Sequence, residues 1–189
     1  ADIPAVLYAY KTAGMSANDY METVTGFSAS LLQSVGGNTA KAADVANMAL
    51  TDMSDNANKM GTSMGSIQYA YQGFAKQNYT MLDNLKLGYG GTQEEMKRLL
   101  ADAQKITGVK YDIHNLNDVY QAIHVIQGQL GITGTTAKEA STTIQGSFSS
   151  MKAAWDNLLT GLADPSQNFD TLLKNLIDSV GVFAENLLP

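Results

Sequence analysis

The sequence contains no cysteine and only three prolines among 189 residues. The absence of cysteine excludes disulfides, thiolate metal sites and cysteine nucleophiles. Sustained alternation of β-branched residues is also missing, and this argues against a sheet protein. With two histidines and no cysteine, a zinc site would need a carboxylate-rich ligand set that the spacing does not present.

Positive charge is scarce as well. Eighteen acidic residues against twelve basic ones give a net charge of −6, and no basic run exceeds Lys97-Arg98. Nonspecific nucleic-acid binding depends on neutralising phosphates, so a chain with few basic residues is a poor candidate for binding DNA. We also expect no specific nucleic-acid binding. No apolar run approaches the roughly 20 residues that a membrane span needs, so we expect no membrane span in this fragment, and no signal peptide is recognisable.

The size and hydrophobicity of the chain are those of an ordinary globular protein. Hydrophobic residues make up 44% of the 189 positions, enough for one domain or two small helical units. The chain begins at Ala1 rather than Met and ends at Pro189, and we expect it to be an excerpt of a longer protein.

The strongest helical pattern runs from residue 131 to residue 163. Thr136 stands three residues before Glu139, as in a capping box, and Gly134 lets the chain turn just before it. Apolar residues then recur at helical spacing over about seven turns. We expect them to form the main packing seam, either within the domain or between copies; the seam comprises Ile144, Phe148, Met151, Trp155, Leu158 and Leu162.

The rest of the chain reads as short helices separated by glycine. We expect helices near 3–12, 16–35, 39–61, 63–74, 79–87, 92–106, 116–130 and 169–187. Their inward faces are predicted to include Val24, Phe27, Leu31, Val35, Ala42, Val45, Ala49, Met53, Met64, Ile67, Tyr71, Phe74, Met96, Leu99, Leu100, Ala103, Val119, Ile123, Ile126 and Leu130. The fold class is therefore all-α: a compact multi-helix domain or bundle with Gly-rich connectors. We place domain boundaries at 1–163 and 164–189, with a C-terminal helix after the Asp164-Pro165 break that is a candidate for part of the next unit.

One glycine-rich segment superficially resembles a phosphate cradle. Gly88-Tyr89-Gly90-Gly91-Thr92 precedes a helix, and helix N-termini bind anions. However, no lysine follows at the P-loop position and no strand precedes the loop. We interpret the segment as a flexible turn between helices.

Titratable residues offer no catalytic set. His124 lies beside Ile123 and Ile126, so we expect it to flank the core, whereas His114 lies in a connector. Glu95 and Glu139 occupy capping-box positions, which accounts for both without catalysis. We therefore assign no catalytic, cofactor-binding or metal-binding residue and predict that the chain is not an enzyme.

Long stretches of the sequence resemble a known family. GTTAKEASTTIQGSFSSMKAAWDNLL is similar to a sequence near the end of the conserved region of tail tape measure proteins from tailed phages and prophages of Gram-positive bacteria. The resemblance continues through AGMSANDYMETVTGFSASLLQ, in which Ala13-Gly14 replaces a more usual Thr-Gly, through ALTDMSDNANKMGTSMGSIQYAYQGFAKQNYTMLDNLKLGYGGTQEEMKRLLADAQKITGVKYDI, and to NLNDVYQAIHVIQGQLGITGTTAKEAS. It covers roughly residues 14 to 163.

The resemblance implies a structural phage tail protein. Members of this family are long, multimeric and mainly helical; they occupy the lumen of the assembling tail tube in the virion, set tail length, and leave when DNA is ejected. The implied partners are other copies of the protein, the tail tube protein, tail assembly chaperones and distal tail or tip proteins, and assembly takes place in the bacterial host cytoplasm.

The segment departs from the family picture of an extended ruler, because glycine interrupts its helices and a sustained heptad rod is absent. We therefore expect a compact helical region of the ruler protein.

Two alternatives belong to other classes. A cell-wall-active (muralytic) module would need convergent carboxylates or metal ligands. A secreted helical interaction protein would carry a Trp-x-Gly turn, whereas Trp155 is followed here by Asp156-Asn157.

Overall fold

The computed structural model describes residues 22–136, 152–154, 156–157 and 169–187, and these residues form helices and connecting turns without any strand. The all-α prediction is therefore confirmed. The helices with described bounds are α1 (Ser28–Ser34), α2 (Thr39–Met60), α3 (Met64–Ala75), a 3-10 helix (Leu82–Leu85), α4 (Gln93–Thr107), α5 (Leu116–Gln129) and α6 (Phe169–Leu187). None of the helices in these ranges has the length and apolarity required to cross a membrane.

Four of the helices begin at a polar N-cap residue. The side chain of Asn38 accepts a hydrogen bond from the Lys41 amide at 3.0 Å at the start of α2, and Ser63 does the same for α3 at 3.5 Å. Thr92 and Asn115 cap α4 and α5 in the same way. These side chains satisfy amides that have no partner within the helix. The four helices begin within one residue of the predicted starts at 39, 63, 92 and 116.

Three helices end in the same paired hydrogen-bond motif. After α1, the Gly36 and Gly37 amides donate to the carbonyls of Gln33 and Leu32, and Gly36 takes a positive φ of 66°. The motif recurs after α3 and α5, and it satisfies carbonyls that the last helical turn leaves free. After α3 the left-handed position is held by Gln77, with φ 56°, although glycine is the favoured residue there.

The chain divides into two compact units, residues 23–133 and residues 1–22 with 134–189. In the first unit α5 is the central helix, because it contacts α1, α2, α3 and α4. In the second unit, Leu176 of α6 packs against the buried Ala153 and Ala154. The predicted boundary at residue 163/164 lies outside the described residues and stays a prediction.

Aromatic rings fill the centre of the first unit. Tyr120 of α5 meets Phe27 edge-on at 5.4 Å between ring centroids and Tyr71 of α3 at 5.1 Å. Phe74 extends the group to Tyr79 by stacking at 6.2 Å. Pairs at these separations contribute packing energy beyond area burial, so these contacts bring α3 and α5 together with the chain before α1.

The structure corrects the predicted helix over residues 16–35. Residues 22–25 are helical, but Gly26 and Phe27 form a turn before α1 begins at Ser28. At this turn the chain lies close to α3: a Cβ on Gly26 would stand 2.6 Å from the side-chain nitrogen of Gln72. Glycine permits both the break and the close approach.

The second correction concerns Leu130, which was predicted to be buried and is 51% exposed. The helix ends at Gln129, and Gly131 turns the chain with φ 71°. Ile132 enters the core in place of Leu130, with 1% exposure. The segment predicted as a weak helix over 79–87 contains only the 3-10 helix at Leu82–Leu85.

Candidate functional site

The predicted packing seam cannot be placed, because all six of its residues lie outside the described residues. The capping box of Thr136 with Glu139 is not tested either, since Glu139 lies outside them, although Thr135 and Thr136 are already helical. The candidate sites that can be examined are the glycine-rich loop, an exposed face of α6 and a group of buried polar side chains.

The glycine-rich loop before α4 is anchored by side chains of that helix. Arg98 donates to the Gly88 carbonyl at 2.7 Å and lies 4.3 Å from the centre of the Tyr89 ring. The Tyr89 hydroxyl donates to Asp102 at 2.6 Å, and burial first, then this contact, raises the pKa of Tyr89 to about 12. The loop is held by more contacts than the predicted flexible turn would make.

A carboxylate of α4 already bonds to the loop that precedes this helix. Thr92 accepts from the Glu95 amide at 3.1 Å, as predicted, but Glu95 reaches back to the Gly90 amide at 3.2 Å rather than to Thr92. A hydrogen bond from Arg98 lowers the pKa of Glu95, so the carboxylate carries its charge at neutral pH. The Gly90 amide, which a phosphate cradle would offer to its ligand, is therefore already bonded to a carboxylate of the protein.

The described part of α6 presents apolar residues to solvent. Leu173, Ile177 and Val180 recur at helical spacing and are exposed, whereas Asn175 and Ser179 on another face are buried. An exposed apolar stripe is typical of a surface that meets another protein. No contact in the described residues identifies what that protein is.

The most unusual feature of the first unit is a group of buried polar side chains on α2. Asp52, Asp55 and Asn56 are each 1% exposed or less, and Gln127 of α5 is fully buried. Buried carboxylates are rare unless they are paired, because transfer from water penalises the charged form. The interior of this unit therefore contains a polar region between α2 and α5, which we call the polar cluster.

An acid–base pair lies at the edge of the polar cluster. The Nδ1 atom of His124 lies 2.9 and 3.0 Å from the two carboxylate oxygens of Asp52. The hydrogen bond to Asp52 raises the pKa of His124, against the opposing effect of burial. Burial raises the pKa of Asp52, although His124 lowers it in part. The His124 side chain is 38% exposed and so borders solvent, which agrees with its predicted place beside the core.

Amide side chains complete the polar cluster. Asn56 donates to the Leu85 carbonyl at 2.8 Å and to Gln127 at 3.0 Å, and its oxygen accepts from Thr62 at 2.9 Å. Gln127 in turn donates to the Asp52 carbonyl at 3.0 Å. These bonds join α2, α5 and the 3-10 helix through groups that would otherwise be buried without partners.

The sequence carried a signal for the polar cluster. Asp52 lies three residues after Ala49, and Asn56 lies three residues after Met53, so both lie on the inward face of α2. A polar residue on the inward face of a helix either interrupts the apolar surface or is buried with hydrogen-bond partners. The prediction listed only the apolar residues of this face.

In the part of the chain that the structure describes, no group of three or more His, Cys, Asp or Glu side chains is placed to hold a metal ion. The pair of Asp52 and His124 can hold and exchange a proton. His114 lies apart from it, in the connector before α5, where its amide donates to Asp112 at 2.9 Å.

Comparisons of the chain with protein-family models, with curated proteins and with solved structures give no match.

Proposed function

We propose that this chain is a compact helical region of a phage tail tape measure protein, which acts in tail assembly and is released at DNA ejection. The observation that carries the proposal is the sequence resemblance over roughly residues 14 to 163, which extends through long stretches rather than a short motif. In this role the chain belongs to the virion, inside the tail tube, and to the host cytoplasm during assembly. Its partners are other copies of itself, the tail tube protein, tail assembly chaperones and distal tail or tip proteins.

The packing of residues 23–133 supports a compact region rather than a stretch of extended ruler. A helical ruler converts chain length into tube length at about 1.5 Å per residue. Here, α5 contacts four other helices, and side chains far apart in sequence, such as Asn56 and Gln127, are joined by hydrogen bonds. A rod that runs along a tube would leave such side chains without partners.

Deletion of residues 23–133 from the full-length protein tests the proposal in a phage that encodes it. If these residues were one extended helix in the tail, their loss would shorten the tail by about 165 Å. A compact unit of this size is only about 35 Å across, so we expect either a shortening of no more than that or a failure to form tails.

Electron microscopy of purified particles measures the outcome, and mass spectrometry of the same particles shows whether the chain is present in tails. The control is an in-frame deletion of equal length in a helical segment elsewhere in the protein, which should shorten tails in proportion. A tail shortened by about 165 Å would refute the proposal that residues 23–133 are compact. Infectious tails of full length would refute a role in assembly.

The muralytic alternative has its own assay. A cell-wall hydrolase produces a cleared band on a peptidoglycan gel, and the band is lost when an essential carboxylate is replaced. We expect no cleared band from this chain. Asp52→Asn is the informative variant if one appears, because Asp52 is the carboxylate paired with an imidazole.

A further inference from the structure

The contact between α2 and α5 includes a proton-binding pair that is largely enclosed by the protein. Asp52 belongs to α2 and is 1% exposed, whereas His124 belongs to α5 and reaches solvent with 38% of its side chain. Both carboxylate oxygens lie within 3.0 Å of the same imidazole nitrogen. Solvent protons can therefore reach the imidazole while the carboxylate stays enclosed.

Among the described groups that interact electrostatically with this pair, the others are carboxyl or phenol groups and none is a cation. Asp55 of α2 is fully buried and acts electrostatically on both Asp52 and His124. On α3, the titratable group that interacts electrostatically with both carboxylates is Tyr71. On α5, the other buried titratable side chain is Tyr120. When His124 is neutral, the charge of the Asp52 carboxylate has no cationic partner among these groups. Coulomb attraction in a poorly hydrated interior makes that loss larger than it would be in water.

We propose that the pair of Asp52 and His124 is a pH-sensitive latch, which holds α5 against α2 when the imidazole is protonated and loosens the contact when the proton leaves. The balance is simple: the imidazolium releases one proton to solvent and becomes neutral, while the carboxylate remains in place. The Nδ1–H donor can still bond to Asp52 after this step. What is lost is the attraction between opposite charges.

The direction of the pH dependence follows from both groups. The pKa of His124 is raised in the folded protein, so its contribution is fully present below the ordinary imidazole value of about 6.5 and is lost as pH rises through the folded pKa. The pKa of Asp52 is also raised, so the folded protein again binds the extra proton. Glu95 acts in the opposite direction, but only as pH falls below its ordinary value of 4.5.

Stability of the whole chain should therefore fall as pH rises from 6.5 through the folded pKa of His124. Each unit of pH inside the window lowers the folding equilibrium constant by up to tenfold for one extra bound proton. Urea unfolding at half-unit steps of pH measures this slope. His124→Gln is the matched variant, because glutamine can donate a hydrogen bond to Asp52 and does not titrate, and we expect it to remove most of the slope. A wild-type constant that does not change between pH 6.5 and 9, or an unchanged slope in the variant, would overturn the latch.

Proton NMR of the wild-type chain provides a second test that does not depend on the folding of a variant at Asp52 or His124. The chain has only two imidazoles, and loss of one signal in His114→Gln assigns them. We expect the His124 signal to titrate with a midpoint above 6.5. A midpoint at or below that value would overturn the proposal, whatever the unfolding data show.

Discussion

Two tyrosines in the centre of the first unit differ in the hydrogen bonding of their hydroxyl groups, and removal of each hydroxyl oxygen tests this difference. Tyr71 and Tyr120 are both fully buried, and their rings lie 5.1 Å apart. The Tyr120 hydroxyl donates to the Tyr71 carbonyl at 2.9 Å. The Tyr71 hydroxyl makes no hydrogen bond within the described residues, and burial raises its pKa well above the ordinary value of 10.0. Replacement by phenylalanine removes the oxygen and keeps each ring.

The two replacements should change stability in opposite directions. Tyr120→Phe loses one neutral hydrogen bond and should destabilise the protein by about 0.5–1.5 kcal/mol. Tyr71→Phe removes a buried polar group that has no partner, so the desolvation cost of that group disappears. We expect the variant to gain about 1–3 kcal/mol. For a chain of this size, 1 kcal/mol corresponds to a shift of about 2–4 °C in Tm.

Urea unfolding followed by circular dichroism at 222 nm measures both variants against the wild type. The slope of the free energy with urea should be the same in all three proteins, which shows that only stability has changed. A loss of stability in Tyr71→Phe similar to that in Tyr120→Phe would refute the reasoning, because it would mean that the Tyr71 hydroxyl makes a stabilising contact. The double variant then reports whether the two side chains act independently.

Three further predictions concern backbone geometry and charge. Gly91→Ala should destabilise the protein by about 2–3 kcal/mol in thermal or urea unfolding, because the added Cβ would lie 2.2 Å from the Thr80 carbonyl oxygen. The control is Gly90→Ala, whose Cβ would have its nearest neighbour at 3.6 Å. This control should change stability by less than about 0.5 kcal/mol. Gln77→Gly should stabilise by about 0.5–1 kcal/mol in the same assay, since it relieves a left-handed residue at φ 56°, and Lys76→Gly at φ −101° should not. Fluorescence anisotropy with a short DNA duplex at physiological salt should show no submicromolar binding, because a chain with a net charge of −6 makes few phosphate contacts. Tight, salt-dependent binding would contradict this prediction.

Local rules explain why the helix boundaries were predictable. Helices were expected to begin near residues 39, 63 and 92, and Asn38, Ser63 and Thr92 each accept a hydrogen bond from an amide of the first turn. Gly61 was expected near the end of α2 and is its left-handed C-cap. Such effects depend on residues within one turn of each other, so a single sequence contains the information.

Features that depend on distant residues were missed. The pairing of Asp52 with His124 joins positions 72 residues apart, and periodicity alone cannot show which helices meet. Leu130 was assigned to the core because it continued the spacing of α5, but the helix stops one residue earlier and Ile132 fills the core instead. The turn at Gly26 likewise depends on the proximity of Gln72. In each case tertiary contacts override a local pattern.

The inner face of α2 changes character along its length, and this change fixes how α5 can pack on it. Val45 and Ala49 in its first half are buried apolar residues, and the burial of apolar surface has no preferred direction. In the second half, Asp52 and Asn56 bond to side chains of α5. A shift by one turn, about 5.4 Å, would break these bonds and leave buried charges and amides without partners. The polar cluster therefore selects one register of the two helices, and the same carboxylate that enforces this register makes the contact sensitive to the protonation of His124.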